Sequence, residues 1–254
     1  MTCTRNANDL LTAAELKREE IDWIFEVARK MSPPVKQEQN IPLLQGKTVV
    51  NLFFENSTRT RTSFEFATRK LEATSVNFAT STSSVTKGET LIDTARNIEA
   101  MKPHALVVRH ACAGTPLFLT RHVSVPVINA GDGFHEHPTQ GLLDAYTILE
   151  KLGSLAGKKI VILGDIAHSR VARSNIHVLR KLGASVSVSA PPTLLPPHPE
   201  TLGVEFSYRP EPLLKDADVV MALRIQLERQ NRMQIPSVRE YSKFWGFLDR
   251  KSVV

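Results

Sequence analysis

Apolar positions along the chain fall into two alternating rhythms. "KTVVNLFF" (residues 47–54), "ALVVRH" (105–110), "VPVIN" (125–129), "KKIVILGD" (158–165) and "SVSVSA" (185–190) are short runs rich in β-branched and aliphatic residues. They read as strands, "KKIVILGD" having the continuous apolar form of one covered on both faces. Between them apolar residues recur at helical spacing: Phe64, Ala67 and Leu71, then Leu142, Tyr146 and Leu149 within "HPTQGLLDAYTILEKL", then Ala172, Ile176 and Leu179 within "SRVARSNIHVLRKLGA". Pro138 suits a first helical position, where its missing N–H has no intrahelical partner to lose. Repeated strand, turn and helix predict an α/β protein built on mainly parallel sheets flanked by helices. The short Gly-containing stretch "EKLGSLAGKK" at 150–159 separates two such blocks, which predicts two domains, 1–150 and 151–254.

Composition narrows the classes without choosing a function. A chain of 254 residues with 42% hydrophobic and 23% charged residues is an ordinary globular sequence with room for two medium domains. No apolar run approaches the length needed to cross a bilayer, and "MTCTRNANDLL" has neither the basic start nor the apolar stretch of a secretory signal. A cytoplasmic protein with no membrane partner is therefore expected. Cys3 and Cys112 are the only cysteines, so there is no disulfide framework and no cysteine metal spacing. The net charge of +6 favours anionic partners. A nucleic-acid binder would want a continuous basic patch with aromatic or helical readout, whereas these arginines are scattered among short polar motifs. No nucleic acid is expected.

The densest of those motifs is "FFENSTRTRTSFE". Ser57, Thr58, Arg59, Thr60 and Arg61 occupy consecutive positions where a strand-like run gives way to a helical one. The first turn of a helix carries free backbone N–H groups and a partial positive charge, so a phosphate or other oxyanion binds there with little rearrangement. Hydroxyls add donors, and an arginine adds a charged fork. A capped helix with solvated arginines accounts for one hydroxyl and one arginine, and leaves the rest of the run unexplained. "HEH" at His135 to His137 is a weak metal signal, because two histidines two apart come with no further ligands on the same element. "LGD" after "KKIVI" lacks the glycine pattern of a dinucleotide site.

Several motifs together carry a resemblance. "FFENSTRTRTSFE", "TKGETLIDTARNIEA", "VVRH", "GDGFHEHPTQGLLDAYTI", "GDIAHSRVARSN" and "RIQLERQ" occur in the order found in catalytic chains of the aspartate carbamoyltransferase family, which the sequence resembles from its N-terminal region to about Lys243. The resemblance implies transfer of the carbamoyl group of carbamoyl phosphate to L-aspartate in pyrimidine biosynthesis, without cofactor or metal. It also implies a carbamoyl phosphate domain followed by an aspartate domain.

Residue by residue, the resemblance assigns Ser57, Thr58, Arg59 and Thr60 to the phosphate, and Thr60, Arg109 and His137 to the carbonyl oxygen. Gln140 is assigned to the carbamoyl amide. Arg61 matches a position that looks structural, expected to pair with acidic neighbours such as Glu55. Ser83 and Lys87 match a loop that in the family reaches the active site of a neighbouring subunit, which implies a homotrimer with shared sites. A regulatory chain or a dihydroorotase is a further possible partner. Arg170, Arg224 and Gln226, with Lys87, match the aspartate-binding positions; two separated guanidinium groups suit a dicarboxylate. The sister ornithine enzymes share the phosphate motifs, but their acidic residue and Ser-Met-Gly type loop are not found after "ADVV". The family chain continues past "REYSKF" into a further strand, a His-Pro loop and a closing helix, whereas here "WGFLDRKSVV" follows. On that comparison the second domain is expected to be incomplete. A chain with little activity that serves as an assembly or interaction subunit is the alternative.

Overall fold

The computed structural model describes residues 8–79, 90–226 and 237–245. The chain divides into two compact units, Met1–Leu142 and Leu143–Val254.

In the first unit, α1 (Arg18–Lys36) precedes β1 (Thr48–Phe53), α2 (Thr58–Lys70), β2 (Thr74–Ala79), α3 (Leu91–Ala100), β3 (Ala105–His110), α4 (Thr115–Leu119) and β4 (Val127–Asp132). The strands form one parallel sheet in the order β2-β1-β3-β4. Both faces are covered, as continuous apolar strands require. Val50, Leu52, Leu106, Val108 and Val127 pack with Ala95, Ile98 and Leu119 from the helices, and with Leu11 from the N-terminal segment. On the opposite face Val49, Phe53, Val107 and Ala130 are joined by half-buried Phe64 of α2. Ala67, expected on the same buried stripe as Phe64, is exposed, and Thr68 is the buried residue of that helix. The stripe that α2 lays on the sheet is narrower than its apolar spacing suggests.

Helix α5 (Pro138–Leu152) begins in the first unit and ends in the second. The second unit continues with β5 (Lys159–Leu163), α6 (Arg170–Lys181), β6 (Ser185–Ser189), β7 (Glu205–Ser207), α7 (Glu211–Leu214), β8 (Val219–Ala222) and α8 (Val238–Trp245). Its strands are also parallel, in the order β7-β6-β5-β8. Ile160 to Leu163 of β5 are buried throughout, and Ala172, Ile176 and Leu179 are the buried stripe of α6, as their spacing predicts.

The strand order positions the chemistry. From β1 the chain winds outward to β2 and then returns to the other side of β1 as β3; from β5 it winds through β6 and β7 and returns beside β5 as β8. Each sheet therefore has a point where the winding reverses, between β1 and β3 and between β5 and β8. At the first of these the helices that follow the two strands lie on opposite faces, Leu119 of α4 packing against one side of the sheet and Phe64 of α2 against the other. A crevice opens at the carboxyl ends of the strands, where parallel α/β sheets collect their ligands.

Candidate active site

The turn after β1 and the end of β3 lie at the first reversal point. Ser57 has the extended backbone of an N-cap, φ −157° and ψ 100°, yet its hydroxyl makes no cap hydrogen bond to α2. The first intrahelical bond shown here is Arg61 N–H to Ser57 O at 3.2 Å. The backbone N–H groups ahead of it belong to a first turn without side-chain caps, and they carry the positive end of the helix dipole. Thr58 and Arg59 are exposed there; Ser57 and Thr60 are half-buried. Arg61 points elsewhere. As a structural arginine should, it pairs with an acidic neighbour, its Nε lying 3.4 Å from Glu65 one helical turn on; Glu55, the example offered by the sequence, is taken by another arginine.

Glu55 is engaged by Arg109. The two strand ends are neighbours, Phe53 standing opposite Arg109 in the β1–β3 register. Arg109 is buried at 7% exposure; its Nη2 donates to Glu55 Oε1 at 2.7 Å and its Nη1 donates to Ala130 O at 3.0 Å. A planar fork held on two sides leaves the guanidinium little rotational freedom.

His137 arrives from β4. Asp132, fully buried at the end of that strand, accepts from Asn129 Nδ2 at 2.9 Å, Glu136 N–H at 3.1 Å, Gly114 N–H at 2.7 Å and His135 Nδ1 at 3.0 Å. Burial pushes its carboxyl up, but the His135, Asn129 and Gly114 donors outweigh burial and hold it below the usual aspartate range. The loop also needs glycine at position 133, where φ is +52° and a Cβ would lie 2.8 Å from Ala111 O. Glu136, 2% exposed, accepts from Ala13 N–H at 2.7 Å and Ala14 N–H at 3.2 Å, stitching the N-terminal segment to the peptide before His137. His137 is itself 6% exposed and sits directly before α5, with Thr139 Oγ1 3.2 Å from its Nδ1. Gln140 follows, half-buried, in the first turn.

The second reversal point is organised by one carboxylate. Asp165, fully buried just past β5, accepts at Oδ1 from His168 N–H at 3.2 Å and His168 Nδ1 at 2.7 Å. At Oδ2 it accepts from Gln226 N–H at 3.0 Å, past the end of β8. The same carboxylate thus fixes the segment leading into Arg170 and the segment carrying Arg224 and Gln226. Ser169 caps α6 by accepting from Ala172 N–H at 3.1 Å, and Arg170 opens that helix at 1% exposure. Arg224 is exposed and Gln226 buried. Gly164 permits the close approach, since a Cβ there would collide with the carbonyl oxygen of Leu223. Burial, with the nearby Asp165 charge adding to it, raises the pKa of Tyr241 in α8.

Ser57, Thr58, Arg59, Thr60, Arg109, His137 and Gln140 thus lie at the carboxyl edge of the first sheet, and Arg170, Arg224 and Gln226 at that of the second. Ser83 and Lys87 lie outside the described residues. Asp132, Glu136 and Asp165 were not singled out from the sequence. The available signal was an acidic residue directly after a buried strand or directly before the site histidine. Among the described residues no group of three or more His, Cys, Asp or Glu is arranged to hold a metal ion, and no helix is long and apolar enough to cross a membrane.

Two parallel sheets, each with a cationic, donor-rich crevice at its reversal point, define an α/β enzyme that handles small anions. Residues 8–150 match the family described as aspartate/ornithine carbamoyltransferase, carbamoyl-P binding domain. The chain is 56% identical to the aspartate carbamoyltransferase catalytic subunit of Opitutus terrae over 93% of its own length and 76% of that protein's. It is 52% identical to that of Acetivibrio thermocellus over 96% and 78%. Among solved structures it resembles aspartate transcarbamoylase from Trypanosoma cruzi in complex with carbamoyl phosphate and aspartate, with a TM-score of 0.81 and 32% identity over 89% of this chain and 74% of that one. It also resembles the catalytic subunit of the M. Jannaschii enzyme, with a TM-score of 0.79 and 36% identity over 93% and 78%. The chain belongs to the aspartate carbamoyltransferase catalytic subunit family, a family of transferases.

Proposed function

We propose that the chain transfers the carbamoyl group of carbamoyl phosphate to the amine of L-aspartate, giving N-carbamoyl-L-aspartate and phosphate in pyrimidine biosynthesis. The observation that carries this reading is the convergence of the α2 N-terminus, Arg109 and the His137 loop on one edge of the first sheet. The description of the family domain over residues 8–150 supports a carbamoyl phosphate role for the first domain. Ser57, Thr58, Arg59 and Thr60 take the phosphate, and Thr60, Arg109 and His137 donate to the carbonyl oxygen. Gln140 holds the carbamoyl amide. The second domain binds aspartate through Arg170, Arg224 and Gln226.

The deprotonated amine attacks the carbonyl carbon. A C–N bond forms, the bond to the phosphate oxygen breaks with its electron pair leaving on phosphate, and the amine loses a proton. No bond to the protein forms. Catalysis reduces to holding two anions in line and stabilising charge that grows on the carbonyl oxygen and the leaving phosphate. We further propose a cytoplasmic homotrimer in which Ser83 and Lys87 of one subunit complete the site of the next.

Formation of carbamoyl-aspartate from radiolabelled aspartate, dependent on carbamoyl phosphate, tests the reading. Product with ornithine in place of aspartate, or none with either, overturns it.

A further inference from the structure

We infer that His110 is a positioning residue: its imidazole stands where an asparagine would in an Asx-turn, Nδ1 accepting from the Cys112 N–H, and so holds the turn after β3 against the loop that ends at His137. The inference rests on the reading of His137 as a donor to the carbonyl oxygen.

His110 is the last residue of β3, next to Arg109 in the chain and opposite Asp132 in the β3–β4 register. Cys112 N–H donates to its Nδ1 at 2.8 Å. A main-chain N–H can only donate, so Nδ1 is the acceptor and the hydrogen of the neutral ring is on Nε2. Asparagine and aspartate close such a turn by reaching the backbone group two residues on with a side-chain oxygen. Histidine Nδ1 occupies the place of that oxygen, bonded to Cγ. The ring also packs on Phe54 at the exit of β1, with centroids 5.4 Å apart. Burial lowers the pKa of His110, against the charges of Glu55 and Asp132, which raise it. A hydrogen bond to the lone pair of Nδ1 favours the neutral form as well.

The turn closed in this way is pressed against the loop that leads to His137. The His110 carbonyl accepts from Gly133 N–H at 2.9 Å. A Cβ at position 133 would lie 2.8 Å from Ala111 O and 2.9 Å from Ala113 N, so residues 111–113 leave room there for glycine alone. Thr115 Oγ1 donates to Cys112 O at 2.9 Å, and Gly114 N–H donates to Asp132 Oδ2 at 2.7 Å. The same carboxylate takes the N–H of Glu136, the residue before His137. Every link from the imidazole to His137 is thus a hydrogen bond, a close contact or a peptide bond within the first unit. A turn released from Nδ1 moves Gly133 and Asp132 with it, and the error reaches His137. Cys112 is exposed, and water can take its N–H once the ring is gone. What the ring supplies is therefore the position of the turn, not a partner for a donor that would otherwise go unsatisfied.

The test compares His110→Asn, which keeps an acceptor bonded to Cγ, with His110→Ala, which has none. In isotope-labelled native protein at neutral pH, NMR should show a pyridine-type Nδ1 and a pyrrole-type Nε2 for His110, the signals identified by their loss in His110→Asn. The main-chain amide signals of Gly133 and His137 should keep their native positions in His110→Asn and shift in His110→Ala. Turnover should fall about tenfold in His110→Ala, less than a displacement of a full ångström costs an aligned reaction, and recover in His110→Asn. A ring protonated on Nδ1 in the native chain overturns the inference, and that measurement needs no variant to fold. Native amide positions with full turnover in His110→Ala overturn it too. So does a His110→Asn chain as impaired as His110→Ala, which would assign the effect to the packing of the ring on Phe54. Full turnover in His137→Asn would instead overturn the reading of His137 as a donor, while the ring and amide signals would still decide whether His110 holds the turn.

Discussion

Arg109 Nη2 donates to Glu55 Oε1 at 2.7 Å, so the most deeply held cation of the first crevice is partly neutralised by an acid from the turn that precedes the phosphate motif. Both groups are largely shielded from water, Arg109 with 9% and Glu55 with 25% of the side chain exposed. A carboxylate this close repels an incoming phosphate while it attracts the guanidinium. Because Ala130 O also holds Nη1, Arg109 keeps an anchor without Glu55. Glu55→Gln should therefore tighten binding of inorganic phosphate, by roughly tenfold for a partly screened charge at close range. Calorimetric titration decides it; weaker binding would mean that Glu55 serves chiefly to place Arg109.

Two serines at helix starts separate binding from stability. Ser169 Oγ accepts from Ala172 N–H at 3.1 Å, whereas Ser57, in the same position relative to α2, makes no cap bond. Ser169→Ala should cost about 1 kcal/mol, the usual loss for an N-cap. Ser57→Ala should leave denaturant unfolding nearly unchanged and weaken carbamoyl phosphate binding. Arg59→Ala should go further and lower turnover by about a hundredfold or more, the scale of losing an oxyanion-type donor. If Ser57→Ala destabilised the chain as much as Ser169→Ala without changing binding, the hydroxyl at position 57 would be a cap and not a ligand.

The pH dependence of stability follows from Asp132. Its folded-state pKa lies below the ordinary aspartate value because the His135, Asn129 and Gly114 donors outweigh burial. A depressed carboxylate contributes stability that is fully present above the unfolded-state pKa and is lost as pH falls through the folded one. Unfolding free energy should fall on acidification through and below the aspartate range, and Asp132→Asn should flatten that limb while lowering stability near neutrality. An unchanged acid limb in the variant would remove Asp132 from the account.

How far the fold was legible depended on how local its causes were. Strands β1, β3 and β5 and the buried stripe of α6 follow from their own apolar patterns, because a strand covered on both faces needs an unbroken apolar run wherever its neighbours lie. Strand β2, "TSVNFA", has no such run. It is an edge strand held partly through Asn51, whose amide donates to Ser75 Oγ at 3.1 Å and Asn77 Oδ1 at 3.0 Å, a pairing set by register between distant segments. Helix α1 carries Pro33 and Pro34 in its last turns, which its sequence would not suggest. In the site, groups that meet a substrate announce themselves by type, as Arg59 and His137 do. Asp132, Glu136 and Asp165 act by accepting backbone N–H groups, so their importance exists only once loops from different strands have been brought together.

Asp165 offers the sharpest separation of the two substrates. One buried carboxylate holds His168 on the segment leading to Arg170 and the Gln226 N–H beyond β8. Asp165→Asn keeps the size but turns an NH₂ toward at least one of these donors, so one contact becomes a clash of donor with donor. The loop released by it shifts an aspartate-binding residue, and displacement of about an ångström is enough to cost a hundredfold in an aligned reaction. Arg109, His137, Gln140 and the Ser57–Thr60 run belong to the first unit, whereas Asp165 belongs to the second. KM for aspartate should therefore rise at least about tenfold and turnover fall with it, while calorimetric binding of carbamoyl phosphate alone stays at the native value. Equal damage to both substrates would show that Asp165 supports the fold of the second unit generally and not the aspartate loops in particular.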